Sequence, residues 1–147
     1  MLKFSRRSTK EEKQSVNLSQ CAEDTVVLFK AQLKRFPRIQ LKLDLAPSLP
    51  AIHADPFQLG QVVLNLLQNG LQALVDEKGI LSVQTGFKND RCFLRVTDTG
   101  AGIRPEHLAH IFEPHFSTKP AGEGTGLGLS IANRIVKDHS GDIEVES

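Results

Sequence analysis

The chain has 147 residues, of which 24% are charged, and a formal net charge of +1. That length suffices for one hydrophobic core, and the balanced charge does not favour nucleic acid or an acidic membrane surface as the main partner. Trp and Tyr are absent, which disfavours a stacking platform for single-stranded nucleic acid. Two isolated cysteines, and the lack of a signal peptide, lipidation motif or bilayer-spanning apolar run, predict a cytoplasmic domain without direct membrane contact.

The N-terminal part combines a charged segment with the first strand and the first helix. Residues 1–14 are charged and aperiodic, which is typical of a linker, so we place the folded domain at residues 15–147. Residues 16–18 predict a short strand. Ser19 is then expected to cap a helix that runs to about Phe36, where a proline follows.

Two short strands are predicted before the most regular helix of the chain. Residues 39–45 (IQLKLDL) alternate between apolar and polar side chains and predict a strand with one solvated face, and residues 51–54 predict a short strand. Residues 56–75 then carry apolar side chains at helical spacing and no charge. Asp55 is placed as the N-cap of this helix and Pro56 as its first residue. We therefore expect a core helix here.

Five of the six amide side chains in the helix of residues 56–75 step along it by three or four residues and so share one stripe. They are Gln58, Gln61, Asn65, Asn69 and Gln72. A buried amide without a partner costs roughly 1–3 kcal/mol. The stripe therefore needs polar neighbours, which are either loops of the same protein or a polar ligand lying along the helix.

Residues 80–87 and 91–98 predict a β-hairpin joined by residues 88–90. Alternation places Asp98 on the same face as the apolar residues of its strand, at the end of the row and toward the core. A carboxylate in that place either caps the following turn or serves a polar ligand.

The C-terminal third alternates short helices with glycine-rich segments. A short helix is predicted over residues 105–111, and residues 113–126, rich in Gly, Pro, Ser and Thr, are predicted to be a lid loop. The glycine run of residues 124–128 opens a helix over residues 129–139, and Ile143 begins a last strand. This order predicts an α/β two-layer sandwich, with about three helices packed on one face of a mixed β-sheet.

Three segments offer groups that suit one phosphate-bearing ligand. The glycine run can present free backbone N–H groups and a helix dipole to phosphate, although such runs also occur in plain loops. Asp98 offers an acceptor for an exocyclic amine, and the Asn69 amide oxygen suits a Mg²⁺ ion whose other ligands are phosphate and water. Lys119 and Arg104 are placed either to neutralise phosphate or to remain solvated loop charges.

Four motifs occur in one order along the chain, namely NLLQN from Asn65, DTGAG from Asp98, FEPHFSTK from Phe112 and GTGLGLS from Gly124. They resemble the N, G1, F and G2 boxes of the ATP-binding catalytic domain of sensor histidine kinases, which share the Bergerat fold with gyrase, Hsp90 and MutL ATPases. The resemblance covers about residues 15–147, and within the family it is strongest to nitrogen-regulator-type kinases.

The resemblance implies a site for ATP and Mg²⁺. Asn69 matches the Mg²⁺ ligand, with Asn65 in support, and Asp98 matches the aspartate that binds the adenine amino group. The glycines at 100 and 102 match positions where the base lies against the backbone. The other implied ATP-binding positions are Gln72, Ile103, Phe116, Thr118, Lys119, Gly124, Thr125, Gly126, Leu127 and Gly128. Among them, Lys119 matches a position at the phosphates and Thr125 one near the adenine. Gly126 and Gly128 match positions along the triphosphate.

One position separates a kinase from a hydrolase. In gyrase-like relatives the residue four before the Mg²⁺ asparagine is a glutamate that activates water, and here it is Asn65, whose amide cannot act as a general base. The resemblance then implies that the γ-phosphoryl group goes to a histidine on a separate helical dimerisation domain, and onward to a response regulator. The five histidines of the chain lack that phosphoacceptor context, so we expect an enzyme that is incomplete alone. Because dimer contacts in such kinases usually belong to the helical domain, we expect this chain to be monomeric. Its parent protein is either anchored in a membrane or free of it.

Some positions depart from the family pattern, and other functions remain open. Gly70 stands where alanine is common, at a cost of about 1 kcal/mol of helix stability. His115 and Ser140 are unusual in their boxes, and the final strand of the fold is expected to be truncated. The alternatives are a stand-alone serine kinase and anti-sigma factor of the same fold, an ATP-gated clamp of the MutL or gyrase kind, and a degenerate scaffold.

Overall fold

The alternating and helical patterns of the sequence form an α/β structure, which a computed structural model describes over residues 13–100, 105–108, 110–113 and 128–145. The strands are β1 (Gln14–Val16), β2 (Ile39–Asp44), β3 (Ile52–Ala54), β4 (Gly79–Lys88) and β5 (Arg91–Asp98), and the helices are α1 (Leu18–Leu33), α2 (Pro56–Ala73), α3 (Pro105–Leu108) and α4 (Gly128–Asp138). No helix within these ranges is long and apolar enough to cross a membrane.

A mixed three-stranded sheet, ordered β2-β4-β5, forms one layer. β2 runs parallel to β4, which is antiparallel to β5. β1 and β3 pair antiparallel as a separate two-stranded ribbon, with Gln14 opposite Ala54. The mixed sheet of the prediction is confirmed, whereas β1 and β3, each three residues long, form a ribbon of their own.

The β4–β5 hairpin is confirmed, with a tighter turn than expected. Asn89 and Asp90 have φ values of 54° and 61°, while Lys88 and Arg91 on either side are already paired in the ladder. A two-residue turn with both residues left-handed matches the twist of the flanking strands, and Asn and Asp tolerate that conformation.

Packing of α1 and α2 against the inner face of the sheet forms the main core. Its fully buried members are contributed by both helices and by β4: Ala22, Val26, Phe29, Val63, Leu67, Leu81 and Val83. A second cluster joins α4 to α2 through Ala132, Ile135 and Val62. α2 therefore lies at the centre of the fold, as expected for a helix whose apolar side chains extend around most of its surface.

The predicted N-cap of α1 is wrong by two residues. Asn17 caps the helix, because its side-chain oxygen accepts a hydrogen bond from Gln20 N at 3.0 Å. The strand ends earlier than expected, at Val16, so the first free amides of α1 fall within reach of Asn17. The Ser19 hydroxyl instead donates to Ala46 O at 2.8 Å and lies 2.7 Å from Thr85 Oγ1.

The boundaries of the later elements were predicted with mixed success. α4 agrees within one residue, and α2 is confirmed with Asp55 as its cap. The last strand is wrong over residues 141–145, which have no regular secondary structure. Their burial alternates as a strand's does, with Ile143 inward, yet they form no ladder with any strand that the structure describes, so alternation alone was a misleading signal. α3 is shorter than predicted and is followed by a turn.

Candidate functional site

Asn65, in the middle of the amide stripe, is engaged within the protein. It is 8% exposed, its Nδ2 donates to Gly128 O at 3.0 Å, and its Oδ1 accepts from Gln61 Nε2 at 2.9 Å. The bond to Gly128 joins α2 to the first residue of α4 across 63 positions of the chain. For this amide, the interpretation that the stripe serves neighbouring segments of the protein is the better one.

Asn69, one turn further along α2, differs from Asn65. It is half-buried, and its side chain makes no hydrogen bond to another residue in the part of the chain that the structure describes. A Cβ built on Gly128 would lie 3.8 Å from Asn69 Oδ1, so this amide lies beside the start of α4. Its position beside Gly128, with no partner among the described residues, makes the Asn69 amide a candidate for binding a ligand. Gln72, at the end of the stripe, is exposed.

Asp98 ends β5 on the core side of the sheet, opposite Leu81 in the ladder. Its Oδ1 accepts a hydrogen bond from Gly100 N at 2.8 Å, so the carboxylate does cap the following turn. Its Oδ2 has no hydrogen bond within the described ranges, which leaves one oxygen as an acceptor. Both interpretations of Asp98 that the sequence left open are thus compatible with one side chain.

Gly70 brings α2 and the sheet together next to Asp98. A Cβ built on Gly70 would overlap Leu81 Cδ1 and would lie 3.8 Å from Asp98 Cβ. Leu81 is fully buried and has little room to move. The expectation that Gly70 is mainly a cost to the helix is therefore incomplete, since glycine permits this close approach. A glycine inside a strongly helical segment was the sequence signal for it, although Gly60 of the same helix makes no such close approach.

The turn after Asp98 is held from two sides. A Cβ on Gly100 would overlap the carbonyl oxygen of Ala73, so the turn lies directly against the end of α2. Thr99 N donates to Ile80 O at 3.2 Å, and Thr99 Oγ1 accepts from Ile80 N at 3.0 Å. The position of Asp98 is consequently determined by backbone contacts to α2 and β4.

The predicted site residues that the structure describes surround α2. Asp98 and Gly100 lie at its C-terminal half, and Gly128 lies beside Asn65 and Asn69. The other predicted positions lie outside the described residues and stay predictions: Gly102, Ile103, Phe116, Thr118, Lys119, Gly124, Thr125, Gly126 and Leu127. The same holds for Arg104 and for the lid loop beyond Glu113.

Other features of the described chain offer less chemistry. A groove of about 350 Å³ lies on the outer face of the sheet, lined by side chains such as Lys42, Gln84 and Arg95, and contains none of the predicted site residues. Burial raises the pKa of both cysteine thiols, with the charge of Asp24 adding to the effect at Cys21, so neither is an activated nucleophile. Within the described ranges no three His, Cys, Asp or Glu side chains gather as metal ligands.

The chain is similar to known ATPase domains. The profile of the family described as histidine kinase-, DNA gyrase B-, and HSP90-like ATPase matches residues 54–147. Sensor histidine kinase ZraS of Escherichia coli (strain K12) is 44% identical over 109 residues, which are 74% of this chain and 23% of ZraS. The chain thus spans about a quarter of the length of this relative.

Solved structures of histidine kinases have the same fold. The catalytic domain of histidine kinase ThkA superposes with a TM-score of 0.76 at 29% identity, over 87% of this chain and 82% of that one. ThkA in complex with the response regulator protein TrrA superposes with a TM-score of 0.72 at 26% identity, over 88% of this chain and 36% of that one.

Proposed function

The chain belongs to the histidine kinase-, DNA gyrase B-, and HSP90-like ATPase family, and on that premise we propose that it binds Mg-ATP and donates the γ-phosphoryl group to a histidine on a separate helical domain. It would act as the catalytic part of a sensor histidine kinase, a protein-histidine phosphotransferase of a two-component system. Residues 15–147, together with Gln14 at the start of β1, would be the catalytic domain, and the segment before them would lead from the helical dimerisation domain.

One observation carries this proposal, namely the difference between the two asparagines of α2. Asn65 is buried and engaged, while Asn69 has no hydrogen-bond partner among the described residues and lies beside the start of α4. A Mg²⁺ ion that has phosphate and water as its other ligands requires few protein ligands, and one amide oxygen suffices. Asp98 supports the other end of the site, because its Oδ2, which has no partner within the described ranges, would accept from the adenine amino group.

The same difference favours transfer over hydrolysis. Asn65 occupies the position where gyrase-like relatives carry a water-activating glutamate, and both ends of its amide are already hydrogen-bonded. An amide cannot take a proton from water. Phosphoryl transfer depends mainly on positioning and charge neutralisation, so a site without a base holds ATP until another nucleophile arrives.

The partners of the chain follow from the same proposal. Of the five histidines, His139 is hydrogen-bonded through both ring nitrogens, and the sequence around the other four lacks the phosphoacceptor pattern. The acceptor would therefore lie on another domain, and a response regulator would take the phosphoryl group from it. ThkA, which has the same fold, forms a complex with the response regulator protein TrrA. We place the domain in the cytoplasm.

Calorimetric titration with ATP, with and without Mg²⁺, tests the binding site. We expect Asp98→Asn to lose most of the affinity, since it replaces one acceptor oxygen with a donor, and Asn69→Ala to lose mainly the Mg²⁺ dependence. Asp90→Asn in the hairpin turn and Gln68→Ala, adjacent to Asn69, are the matched controls and should bind as wild type does. A folded wild-type chain, judged by circular dichroism, that binds no ATP would overturn the proposal.

Addition of a helical domain that carries the phosphoacceptor histidine tests the transfer. We expect acid-labile, base-stable phosphohistidine to form on that domain, with little release of inorganic phosphate in its absence. Rapid ATP hydrolysis by the chain alone, without phosphotransfer, would instead indicate the ATP-gated clamp.

A further inference from the structure

His139, directly after α4, has hydrogen-bond partners that define its protonation. Its Nδ1 lies 2.8 Å from Ile135 O, and its Nε2 lies 3.1 Å from Asp55 N. A carbonyl oxygen can only accept and a backbone N–H can only donate. The imidazole is therefore the neutral tautomer with the hydrogen on Nδ1, because an imidazolium would place an N–H against the Asp55 N–H.

The backbone that His139 contacts is the start of α2. Asp55 is 4% exposed and directly follows β3. Its Oδ1 accepts hydrogen bonds from Phe57 N at 2.9 Å and Gln58 N at 3.3 Å, which caps the helix. One residue thus joins the end of β3, the first turn of α2 and the end of α4.

Lys13 links the same place to the chain that leads into β1. Its Nζ donates to Asp138 O at 2.8 Å, at the last residue of α4. The next residue, Gln14, is paired with Ala54 of β3, and Asp55 follows. We name the three side chains Lys13, Asp55 and His139 the α4 anchor. Lys13, the residue ahead of β1, thus contacts α4 directly. It is also linked to the end of α4 indirectly, through the pairing of β1 with β3 and the bond of Asp55 to His139.

The other end of α4 lies at the candidate ATP site. Gly128, its first residue, is bonded to Asn65 and lies beside Asn69. Between the two ends, Ala132 and Ile135 are fully buried. The helix has 11 residues, so it is a rod of about 16 Å at 1.5 Å per residue. A packed rod held at one end transmits a shift of that end to the other.

We propose that the α4 anchor sets the position of Gly128 against Asn69 and couples it to the segment ahead of β1, with His139 as its main positioning residue. This inference rests on the proposed function, in which the segment ahead of β1 joins the catalytic domain to the phosphoacceptor domain. A displacement of Lys13 would then change how the phosphates of ATP are held, while the adenine end at Asp98, fixed by α2 and β4, would not move.

Four variants of the 147-residue chain test the anchor. His139→Phe keeps a ring but removes both nitrogens, and His139→Gln retains an acceptor and a donor. Lys13→Gln removes the ammonium donor from a half-buried side chain ahead of β1, with little risk to folding. Lys137→Gln is the matched control, because it lies in the same last turn of α4 but bonds Asp142 instead of the anchor.

Two measurements separate positioning from simple stability. The first is the affinity for ATP relative to adenosine, which lacks phosphates and is titrated by NMR. We expect His139→Phe to weaken ATP binding about threefold to tenfold with adenosine unchanged, Lys13→Gln to act in the same direction but less, and His139→Gln to restore most of the loss. The second, without nucleotide, is the NMR signal of the Asn65 side-chain amide, which should shift in His139→Phe and Lys13→Gln but not in Lys137→Gln.

Each outcome decides the matter. If the variants lower the melting temperature while the ATP-to-adenosine ratio and the Asn65 signal stay constant, the anchor is merely structural and the inference is wrong. If wild type binds no ATP, the proposed function fails, and the Asn65 signal alone still shows whether the anchor reaches the start of α4. Should His139→Phe not fold, Lys13→Gln carries the same two tests.

Discussion

The two ends of the candidate site are held in different ways. At the Asp98 end, Gly70 and Gly100 let backbone and core side chains approach so closely that no side chain fits between them. At the Gly128 end, the described contact to α2 is a hydrogen bond from one amide, that of Asn65, supported by the packing of α4. Close packing resists displacement, whereas a hydrogen bond contributes about 0.5–1.5 kcal/mol and can be exchanged. We therefore expect a rigid adenine end and an adjustable phosphate end.

The largest effect should come from Gly100→Ala. The added methyl group would overlap the Ala73 carbonyl, which belongs to the backbone of α2 and cannot rotate away. We expect a loss of about 3 kcal/mol in the free energy of unfolding, measured by urea denaturation, together with loss of ATP binding. Gly60→Ala is the control, because its Cβ would lie 3.7 Å from Thr25 Oγ1, an ordinary contact, and should be neutral or slightly stabilising.

Gly70→Ala should have the next largest effect. Here the overlap is with Leu81 Cδ1, and the gain of about 1 kcal/mol in helix propensity offsets part of an overpacking cost of about 1–3 kcal/mol. A net destabilisation of about 1 kcal/mol is expected. The double variant Gly70→Ala/Leu81→Val should be less destabilised than the sum of the two single changes, and strict additivity would show that the two residues do not compete for space.

Asn65→Ala tests the adjustable end. The change leaves Gly128 O without its partner and should cost about 1–2 kcal/mol. Because the loss is local, hydrogen exchange should accelerate mainly at the amides of α4, while those of β4 and β5 remain protected. Uniform acceleration through the whole chain would contradict the comparison of the two ends.

The smallest effect concerns Asp142, outside both ends. Hydrogen bonds from Lys137 and Arg91 hold the pKa of this exposed carboxyl below its ordinary value of 3.8. A lowered pKa in the folded state adds stability that is complete above 3.8 and is lost as the pH falls through the lowered value. As the pH is lowered from about 6 to about 2.5, the melting temperature should therefore fall slightly more for wild type than for Asp142→Asn. An equal fall in melting temperature for both proteins would mean that solvent fully screens the pairs of Asp142 with Lys137 and Arg91.

Sequence patterns predicted those features of the site that depend on neighbours along the chain. The Asp55 cap, the hairpin and the inward side of Asp98 all follow from spacing within a few residues. The pairing of Asn65 with Gly128, and of His139 with Asp55, joins residues 63 and 84 positions apart. No local pattern carries that information, since it depends on how α4 packs on α2.

Two errors have the same physical origin. Ser19 and Asn17 are both good caps, and the choice between them depended on where β1 ends, which its pairing with β3 determines. The alternation of residues 141–145 was real, but a strand also needs a neighbour for its backbone. In both cases the local sequence allowed more than one structure, and pairing with another part of the chain determined which one formed.

The tight turn at Asn89 and Asp90 has a consequence for the order of folding. It brings β4 and β5 together through contacts between near neighbours in the chain, whereas the parallel pairing of β2 with β4 joins Ile39 to Gly79, 40 positions apart, with α2 in between. Closing the longer loop costs more entropy before any contact forms. We expect the hairpin to be structured early, so that destabilising substitutions in β5 slow refolding while those in β2 mainly speed unfolding. If the parallel pairing of β2 with β4 came first, stopped-flow kinetics would instead show slower refolding for the β2 substitutions and faster unfolding for those in β5.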